Sequence, residues 1–382
     1  MPLPAARARS LRPETEPPPS ISLYVRPLGL LQGETATRMV AAGKARALAG
    51  GPLAFPTCEI ILKTPTETRR VIATLAEAEA WRQEAGTELS ERLASRLDLL
   101  SRPRPGGNGA PILMGIVNVT PDSFSDGGEH LDPEAAVALA LDQARAGASI
   151  LDIGGESTRP GATAVDAATE IGRVQPVLER LARRRGEHPG LQLSIDTRHA
   201  AVMRAALALG VDIINDVSAL SDDPQSLAVA AASRARIVLM HKRGEPTEMN
   251  VAPRYDDVAL DVFDEIEARL EAAVAAGIEL SRLIIDPGIG FAKRSAENLA
   301  LLRALPLFHG FGCPLLLGVS RKALIGGEQR RLTPKERLPG SLAAAMHALD
   351  QGVQMLRVHD VRESRQVVNL WQAINRGDRP GR

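Results

Sequence analysis

The sequence predicts an α/β protein, a (β/α)8 TIM barrel with a small N-terminal α+β extension. From Ile112 onward, eight short apolar runs alternate with longer segments of helical periodicity. Near-continuous apolar strands that alternate with helices are typical of a parallel sheet covered by helices. About 260 residues for eight such units agrees with the roughly 250 residues of a closed barrel. No G-x-G-x-x-G motif follows the first run, which disfavours an open doubly wound sheet.

The eight strand-like runs lie in the predicted barrel segment, residues 112–375. They are residues 112–118, 149–155, 191–197, 211–217, 235–241, 282–288, 314–320 and 353–359. The helix after the first run has clear end signals, because Asp132 can cap it, Pro133 suits its first position and Gly147 can end it.

The residues before the barrel divide into three predicted segments. Residues 1–20 are rich in proline and charge, so we expect a flexible tail. Residues 21–100 form an appendage whose role the sequence leaves open. Residues 101–111, SRPRPGGNGAP, form a linker and the clearest domain boundary.

Within the appendage the pattern is mixed. The runs ISLYVRPLGL and FPTCEIIL could form short strands. Apolar residues at helical spacing predict a helix that starts at Thr64 or Thr66 and breaks at Gly86.

Composition excludes several classes of protein. The chain has 46 Lys plus Arg and 46 Asp plus Glu, so no net charge favours nucleic acid or an anionic membrane. It has no apolar run long enough to cross a membrane and no apolar signal core at its start. Its two cysteines, Cys58 and Cys313, lack metal-ligand spacing and favour a reducing environment. We therefore expect a cytoplasmic protein.

Nearly every predicted barrel strand ends in a side chain that can hydrogen-bond or ionise. These residues are Asn118, Asp152 with Glu156, Asp196, Asn215 with Asp216, His241, Asp286, Ser320 to Lys322, and Arg357 with His359. Any one of them is most simply explained as a helix cap or an Asx turn. Together they predict an active site, because active sites of such barrels form where the strands end.

The residue types indicate two kinds of ligand group. Asp196, Asn215 and Asp286 offer mostly acceptors, which suit a flat heterocycle with amino and ring N–H donors, and Lys322 can donate to its carbonyl or a ring nitrogen. On the other side, the expected partners of a phosphate are Asn118, Arg159, Arg357 and His359. Mg²⁺ could bind there through the Asn118 oxygen and phosphate oxygens.

The loops after the first two strands are long and polar. They read NVTPDSFSDGG and GGESTRPGATAV. Long loops over a barrel opening are commonly lids. We expect Phe124 and Pro160 to close over an apolar group.

These segments resemble the dihydropteroate synthase family, and the resemblance covers residues 112–375 in order. The matching motifs are MGIVNVTPDSFSDGG, DIGGESTRPGA, SIDTRHA, IINDVSAL, LMHKRGEPTEM, IIDPGIGF, GVSRKALIG and RVHDV. The family joins p-aminobenzoate to 6-hydroxymethyl-7,8-dihydropterin diphosphate and releases pyrophosphate.

The resemblance implies a role for individual residues. The pterin would be bound by Asp196, Asn215, Asp286 and Lys322, the diphosphate by Arg159, Arg357 and His359, Mg²⁺ by Asn118, and the aminobenzoate by Phe124, Pro160 and Phe291. Thr158 and Met240 complete the implied substrate-binding set, and Asp196, Lys322, Arg357 and His359 are the implied catalytic residues. The family also implies a homodimer.

Two positions depart from the family pattern. Ala292 stands where many relatives have glycine, and Ala323 stands where relatives often have a serine near the aminobenzoate carboxylate. Two other functions remain open, namely methyl transfer from a reduced folate on a similar barrel and pterin binding without catalysis.

Overall fold

The computed structural model describes residues 21–83, 88–107, 109–120, 132–157, 165–244, 254–326 and 332–376. The N-terminal part contains strands β1 (Ser22–Leu28), β2 (Arg46–Ala47), β3 (Ala54–Phe55), β4 (Thr57–Lys63) and β5 (Thr68–Thr74). Its helices are α1 (Gly33–Ala41), α2 (Leu75–Gln83) and α3 (Glu88–Ser101). Strands β1, β4 and β5 form an antiparallel sheet in the order β1-β4-β5, and β2 pairs with β3. The N-terminal part is therefore an α+β unit.

The two strands expected in the appendage are confirmed, but the start of the expected helix is wrong. Residues 68–74 form strand β5, which pairs along its whole length with β4, and the helix begins only at Leu75. The segment is rich in β-branched residues, which fit a strand surface better than a helix. The expected break at Gly86 and the tail 1–20 lie outside the described residues.

The barrel consists of eight parallel strands, and all eight predicted strands are confirmed. They are β6 (Ile112–Asn118), β7 (Ile150–Gly154), β8 (Gln192–Asp196), β9 (Ile213–Asp216), β10 (Arg236–Met240), β11 (Leu283–Asp286), β12 (Leu316–Leu317) and β13 (Met355–Val358). Their order is β11-β10-β9-β8-β7-β6-β13-β12. A parallel bridge between Ile285 and Leu315 joins β11 to the residue before β12. This bridge brings the two ends of the sheet together into a nearly closed barrel.

Helices cover the outside of the barrel. They are α4 (Pro133–Arg145), α5 (Ala167–Arg183), α6 (Ala200–Ala208), α7 (Ser226–Ala232), α8 (Val258–Ala275), α9 (Ser295–Arg303), α10 (Leu305–Phe308), α11 (Leu338–Asp350) and α12 (Val361–Arg376). The predicted end signals of α4 are confirmed: Asp132 accepts a hydrogen bond from the Glu134 backbone N–H, Pro133 opens the helix, and Gly147 has φ 106°. None of the helices in the described ranges is long and apolar enough to cross a lipid bilayer.

Large side chains fill the interior of the barrel. One buried residue from each of seven strands contributes to this inner cluster: Met114, Ile150, Ile213, Val238, Ile284, Leu316 and Met355. A filled interior leaves no channel through the barrel. A ligand therefore has to bind at the barrel mouth, the end where the carboxyl ends of the strands meet.

The N-terminal part shares one hydrophobic core with the barrel. The ring of Tyr24 packs edge-on against Phe263 at a centroid distance of 5.4 Å, and its hydroxyl donates to Asp264 Oδ1 at 2.6 Å. Within the predicted linker, the Arg104 side chain is buried and donates to the Cys313 carbonyl at 2.6 Å. Cys313 lies three residues before strand β12, so this contact lies at the end opposite the mouth. The domain boundary at 101–111 stays a prediction, but Arg104 ties this segment closely to the barrel.

Candidate active site

A cavity of about 880 Å³ lies at the barrel mouth. Nine of the predicted site residues line it, namely Asn118, Asp196, Asn215, Met240, Asp286, Phe291, Lys322, Arg357 and His359. They come from six strands and three of the loops that follow strands, and Asp286 and Arg357 face the same space. The other four predicted residues, Phe124, Thr158, Arg159 and Pro160, lie outside the described residues.

One arginine organises the floor of the cavity. Arg357 donates from Nε to Asp152 Oδ2 at 2.6 Å and from Nη2 to Asp196 Oδ2 at 2.5 Å. Asn215 Nδ2 donates to the same Asp152 oxygen at 2.9 Å. Strands β7, β8, β9 and β13 are therefore connected by one polar network. Sequence reasoning noted Asp152 only as a strand-end residue, and its place beneath Arg357 follows from the barrel geometry.

The charges in this floor are strongly coupled. Burial raises the pKa of Asp196 to about 7, and Arg357 opposes that rise. Burial disfavours the charged form of Arg357, but Asp152 and Asp196 raise its pKa above the ordinary value. Arg357 therefore remains a cation, and two carboxylates compete for it. A positively charged ligand would add a second cation beside Arg357 and so balance the second carboxylate.

A donor and an acceptor lie together on the β11 side of the cavity. Asp286 Oδ1 accepts from the Gly288 backbone N–H at 2.8 Å. Lys322 donates to the Ile289 carbonyl, and its Nζ lies 4.3 Å from the centre of the Phe291 ring. Burial lowers the pKa of Lys322 to about 8, with Asp286 acting in the opposite direction. Burial likewise raises the pKa of Asp286. This side can therefore accept hydrogen bonds from the N–H groups of a polar ring and donate one to its oxygen or nitrogen acceptors.

The opposite side combines an imidazole, a hydroxyl and a carboxamide. His359 Nδ1 lies 3.1 Å from Ser320 Oγ. Asn118 ends strand β6, and its side chain has no hydrogen-bond partner within the described parts of the chain. Arg357 Nη1 makes none of the floor's hydrogen bonds. The Asn118 amide oxygen faces the cavity, where it could bind a cation.

Asp216 is a structural residue and not a ligand-binding one. Its carboxylate accepts from the Ser218 backbone N–H and hydroxyl, both at 2.7 Å, and from the Leu220 N–H at 3.1 Å. These bonds hold a turn in which Ala219 and Leu220 have positive φ. For this strand-end residue the simple explanation, an Asx turn, is correct.

A second polar cluster, which sequence reasoning missed, lies beside the mouth. Oxygen or nitrogen atoms of Glu156, Glu170 and His199 lie within 4.8 Å of one another, a spacing that a metal ion could bridge. However, Arg198 donates to both carboxylate oxygens of Glu156, at 3.0 and 3.2 Å, and His199 Nδ1 lies 2.7 Å from Glu170. Arg198 already supplies positive charge here, so this cluster is better explained as an ion-pair network.

Comparison with known proteins agrees with this geometry. Residues 114–359 match the family model described as pterin binding enzyme. The chain is 45% identical over 269 residues to a dihydropteroate synthase of Neisseria meningitidis serogroup B. This alignment covers 69% of this chain and 93% of the relative. It also resembles a Xanthomonas albilineans dihydropteroate synthase solved with 4-aminobenzoic acid, with a TM-score of 0.64, 50% identity and coverage of 69% and 93%. A structure of the X. albilineans enzyme in complex with 7,8-dihydropteroate matches with a TM-score of 0.62, 46% identity and the same coverage.

Proposed function

The chain belongs to the dihydropteroate synthase family of the pterin binding enzymes, and from that membership we propose how its barrel mouth performs the reaction. The arylamine nitrogen of p-aminobenzoate bonds to the exocyclic methylene carbon of 6-hydroxymethyl-7,8-dihydropterin diphosphate. The C–O bond breaks with its electrons going to pyrophosphate, and the amine loses a proton to solvent. The observation that carries the proposal is one cavity lined by acidic and amide acceptors, Lys322, Arg357 and His359.

The pterin ring binds on the side formed by β8, β9 and β11. Its amino and ring N–H groups donate to Asp196, Asn215 and Asp286, which all face the cavity. Lys322 donates to the ring carbonyl or to a ring nitrogen. A buried site that pairs each polar group of its ligand discriminates strongly against analogues that lack one.

The diphosphate binds across the opening, where Arg357 and His359 supply donors, and Arg159 from the second loop adds charge. The same side suits Mg²⁺. Mg²⁺ prefers oxygen ligands and often takes only one or two from the protein, the others coming from substrate phosphates and water. The Asn118 carboxamide, which no described side chain engages, meets that requirement. When bound, Mg²⁺ would help neutralise the charge of the leaving pyrophosphate.

The residues of the site stabilise charge and do not attack the substrate. Cleavage of the C–O bond ahead of attack leaves a cation delocalised over the dihydropterin ring, and Asp196 lies where a carboxylate can stabilise it. The arylamine is already unprotonated near neutral pH, so no strong general base is required. Cys313 is 1% exposed and does not line the cavity, which excludes it as a nucleophile. Phe291, with Phe124 and Pro160 from the two loops, would surround the aminobenzoate ring and exclude water.

Two further properties belong to the same proposal. A homodimer would form through a helix surface away from the mouth, and exposed apolar side chains in the second half of α12 support this: Leu370 is 53% and Ile374 60% exposed. A cytoplasmic location is supported by the two unpaired, buried cysteines. Sedimentation velocity of the purified chain tests the dimer.

Product analysis tests the proposed reaction. The purified full chain, given Mg²⁺ and both organic substrates, should form a compound with the mass of 7,8-dihydropteroate. The Asp286→Asn variant should form it much more slowly, because the acceptor for the pterin N–H groups is weakened. A product of a different mass would refute the proposed chemistry.

A further inference from the structure

The ammonium group of Lys293, a half-buried residue that lines the cavity, holds the turn between β11 and α9. Lys293 Nζ donates to the Gly288 carbonyl at 2.9 Å, to the Phe291 carbonyl at 3.1 Å and to His241 Nδ1 at 2.9 Å. A lysine ammonium has three hydrogens. All three therefore have an acceptor, and two of them hold opposite ends of the turn 288–291.

The imidazole in this set has a defined tautomer. His241 Nε2 lies 2.9 Å from Glu265 Oε2, and a carboxylate can only accept, so Nε2 carries the hydrogen and Nδ1 accepts from Lys293. His241 is buried, and burial lowers its pKa to about 4. Glu265 is fixed in turn by Arg243, whose Nε donates to Oε1 at 2.8 Å. Lys293 is thus held from the β10 side by a rigid, neutral acceptor.

Arg243 also contacts Tyr255, which in turn binds the residue directly after the turn, Ala292. The Arg243 guanidinium lies 4.0 Å above the centre of the Tyr255 ring, and the Tyr255 hydroxyl donates to the Ala292 carbonyl at 3.4 Å. Gly288 packs so closely on the His241 carbonyl that an added Cβ would lie 1.8 Å from that oxygen. The turn is therefore seated firmly on the end of β10.

This turn carries groups that face the cavity. Phe291 lines the cavity, and the Ile289 carbonyl accepts a hydrogen bond from Lys322. Two lysines therefore hold one turn, Lys322 through Ile289 and Lys293 through Gly288 and Phe291. Among the described residues no carboxylate contacts Lys293, so its hydrogens are committed to the turn and to His241.

We propose that Lys293 is a positioning residue for the second substrate, and this inference rests on the proposed function. Its ammonium fixes the turn 288–291 so that Phe291 forms one wall of the aminobenzoate site. Of the four proposed pterin contacts, Asp196 and Asn215 arise from other strands. Asp286 and Lys322 are bonded to this turn, through the Gly288 N–H and the Ile289 carbonyl, so the pterin depends on the turn only in part.

The test uses three variants of the full chain. Lys293→Met keeps the length of the side chain but removes its donors, and Lys293→Arg restores a cationic donor. Lys63→Met is the matched control, because Lys63 pairs with Asp261 and Asp264 outside the cavity. For each variant, KM is measured for both substrates, together with kcat and the amide hydrogen exchange of residues 286–293 without substrate.

We expect Lys293→Met to raise the KM for aminobenzoate at least tenfold and the KM for the pterin diphosphate by a clearly smaller factor, because two of the four pterin contacts come from other strands. Amide exchange in the turn should accelerate, and Lys293→Arg should recover part of the aminobenzoate affinity. Wild-type kinetics and unchanged exchange in Lys293→Met would overturn the inference, as would an equal rise of both KM values. Failure of the proposed function itself would appear differently, as absence of turnover in the wild-type chain.

Discussion

Arg357 Nη2 lies 2.5 Å from Asp196 Oδ2, and its Nε lies 2.6 Å from Asp152 Oδ2, so one cation pairs with two carboxylates. The floor of the cavity therefore holds more carboxylates than cations, unlike a simple ion pair. An acidic floor beneath the pterin is what a reaction through a cationic ring requires, because the carboxylates stabilise charge that develops only as the C–O bond breaks.

The first prediction concerns this floor. Asp196→Asn should lower kcat about 100-fold, corresponding to about 3 kcal/mol of lost charge stabilisation. Its unfolding free energy should change by less than about 1 kcal/mol, because Asp152 still pairs with Arg357. Steady-state kinetics and urea unfolding measure the two quantities. The control is Arg357→Met, which leaves two carboxylates without their cation and should destabilise the fold by about 3 kcal/mol or more. A fully active Asp196→Asn variant would remove Asp196 from the mechanism.

The second prediction concerns Ala292, which has φ 50°, a left-handed conformation that favours glycine. A left-handed conformation costs a residue with a Cβ about 1–2 kcal/mol, and the greater freedom of glycine in the unfolded chain offsets part of that. Ala292→Gly should therefore raise the unfolding free energy by up to about 1 kcal/mol. The matched control is Ala268→Gly, in the exposed interior of helix α8, which should lower it by about 1 kcal/mol. Equal destabilisation by both changes would contradict the assignment of backbone strain.

The third prediction concerns pH and His309, which is 0% exposed and donates from Nε2 to the Gln351 carbonyl at 2.9 Å. Burial, and next the charge of Arg104, lower the pKa of His309 to about 3. Below pH 6.5 the unfolded chain binds a proton that the folded chain does not, so stability falls as the pH falls from 6.5 toward 3. Between pH 7 and pH 5 this group alone should remove about 2 kcal/mol.

The His309→Gln variant isolates that contribution. The stability advantage of the wild-type chain over the variant, measured by urea unfolding, should shrink by about 2 kcal/mol between pH 7 and pH 5. A stability advantage that is the same at both pH values would contradict this prediction. It would show that His309 binds a proton about as readily in the folded chain as in the unfolded chain.

The fourth prediction concerns removal of residues 1–105. The sequence places a domain boundary at 101–111 and predicts that the barrel would survive such a deletion. The contacts indicate the opposite, because Phe263, Phe308 and Phe311 are at most 3% exposed beneath the N-terminal part. Exposing several buried aromatic side chains costs a large fraction of a total stability of about 5–15 kcal/mol.

We therefore expect the chain without residues 1–105 to be insoluble or to melt at a much lower temperature. Removal of residues 1–20 is the control and should leave Tm almost unchanged. A truncated barrel with wild-type Tm and activity would restore the linker interpretation of residues 101–111.

The strands and most of the cavity could be predicted from the sequence, for a physical reason. A parallel strand buried on both faces is a continuous apolar run, and polar residues such as Asn215 and Asp286 then stand out at its end. The strand at 68–74 was missed because its exposed edge gives no such run, and its charged residues fit a helix surface equally well.

Contacts between distant residues were harder to predict. Asp152 and Arg357 are 205 positions apart, and only barrel closure brings them together. Lys293 was missed because a lysine in a polar loop is usually solvated. Its three acceptors lie in the loops that follow two different strands, β10 and β11. Arg104 was taken for part of a linker because proline and glycine surround it, although its guanidinium is buried against backbone carbonyls.

The most direct test of the central claim is the release of pyrophosphate by the purified full chain with Mg²⁺. The proposed mechanism predicts release when both the pterin diphosphate and p-aminobenzoate are present, and almost none when either is omitted, since the site is proposed to exclude water from the cation. Release at the same rate without p-aminobenzoate would identify a hydrolase and contradict the account.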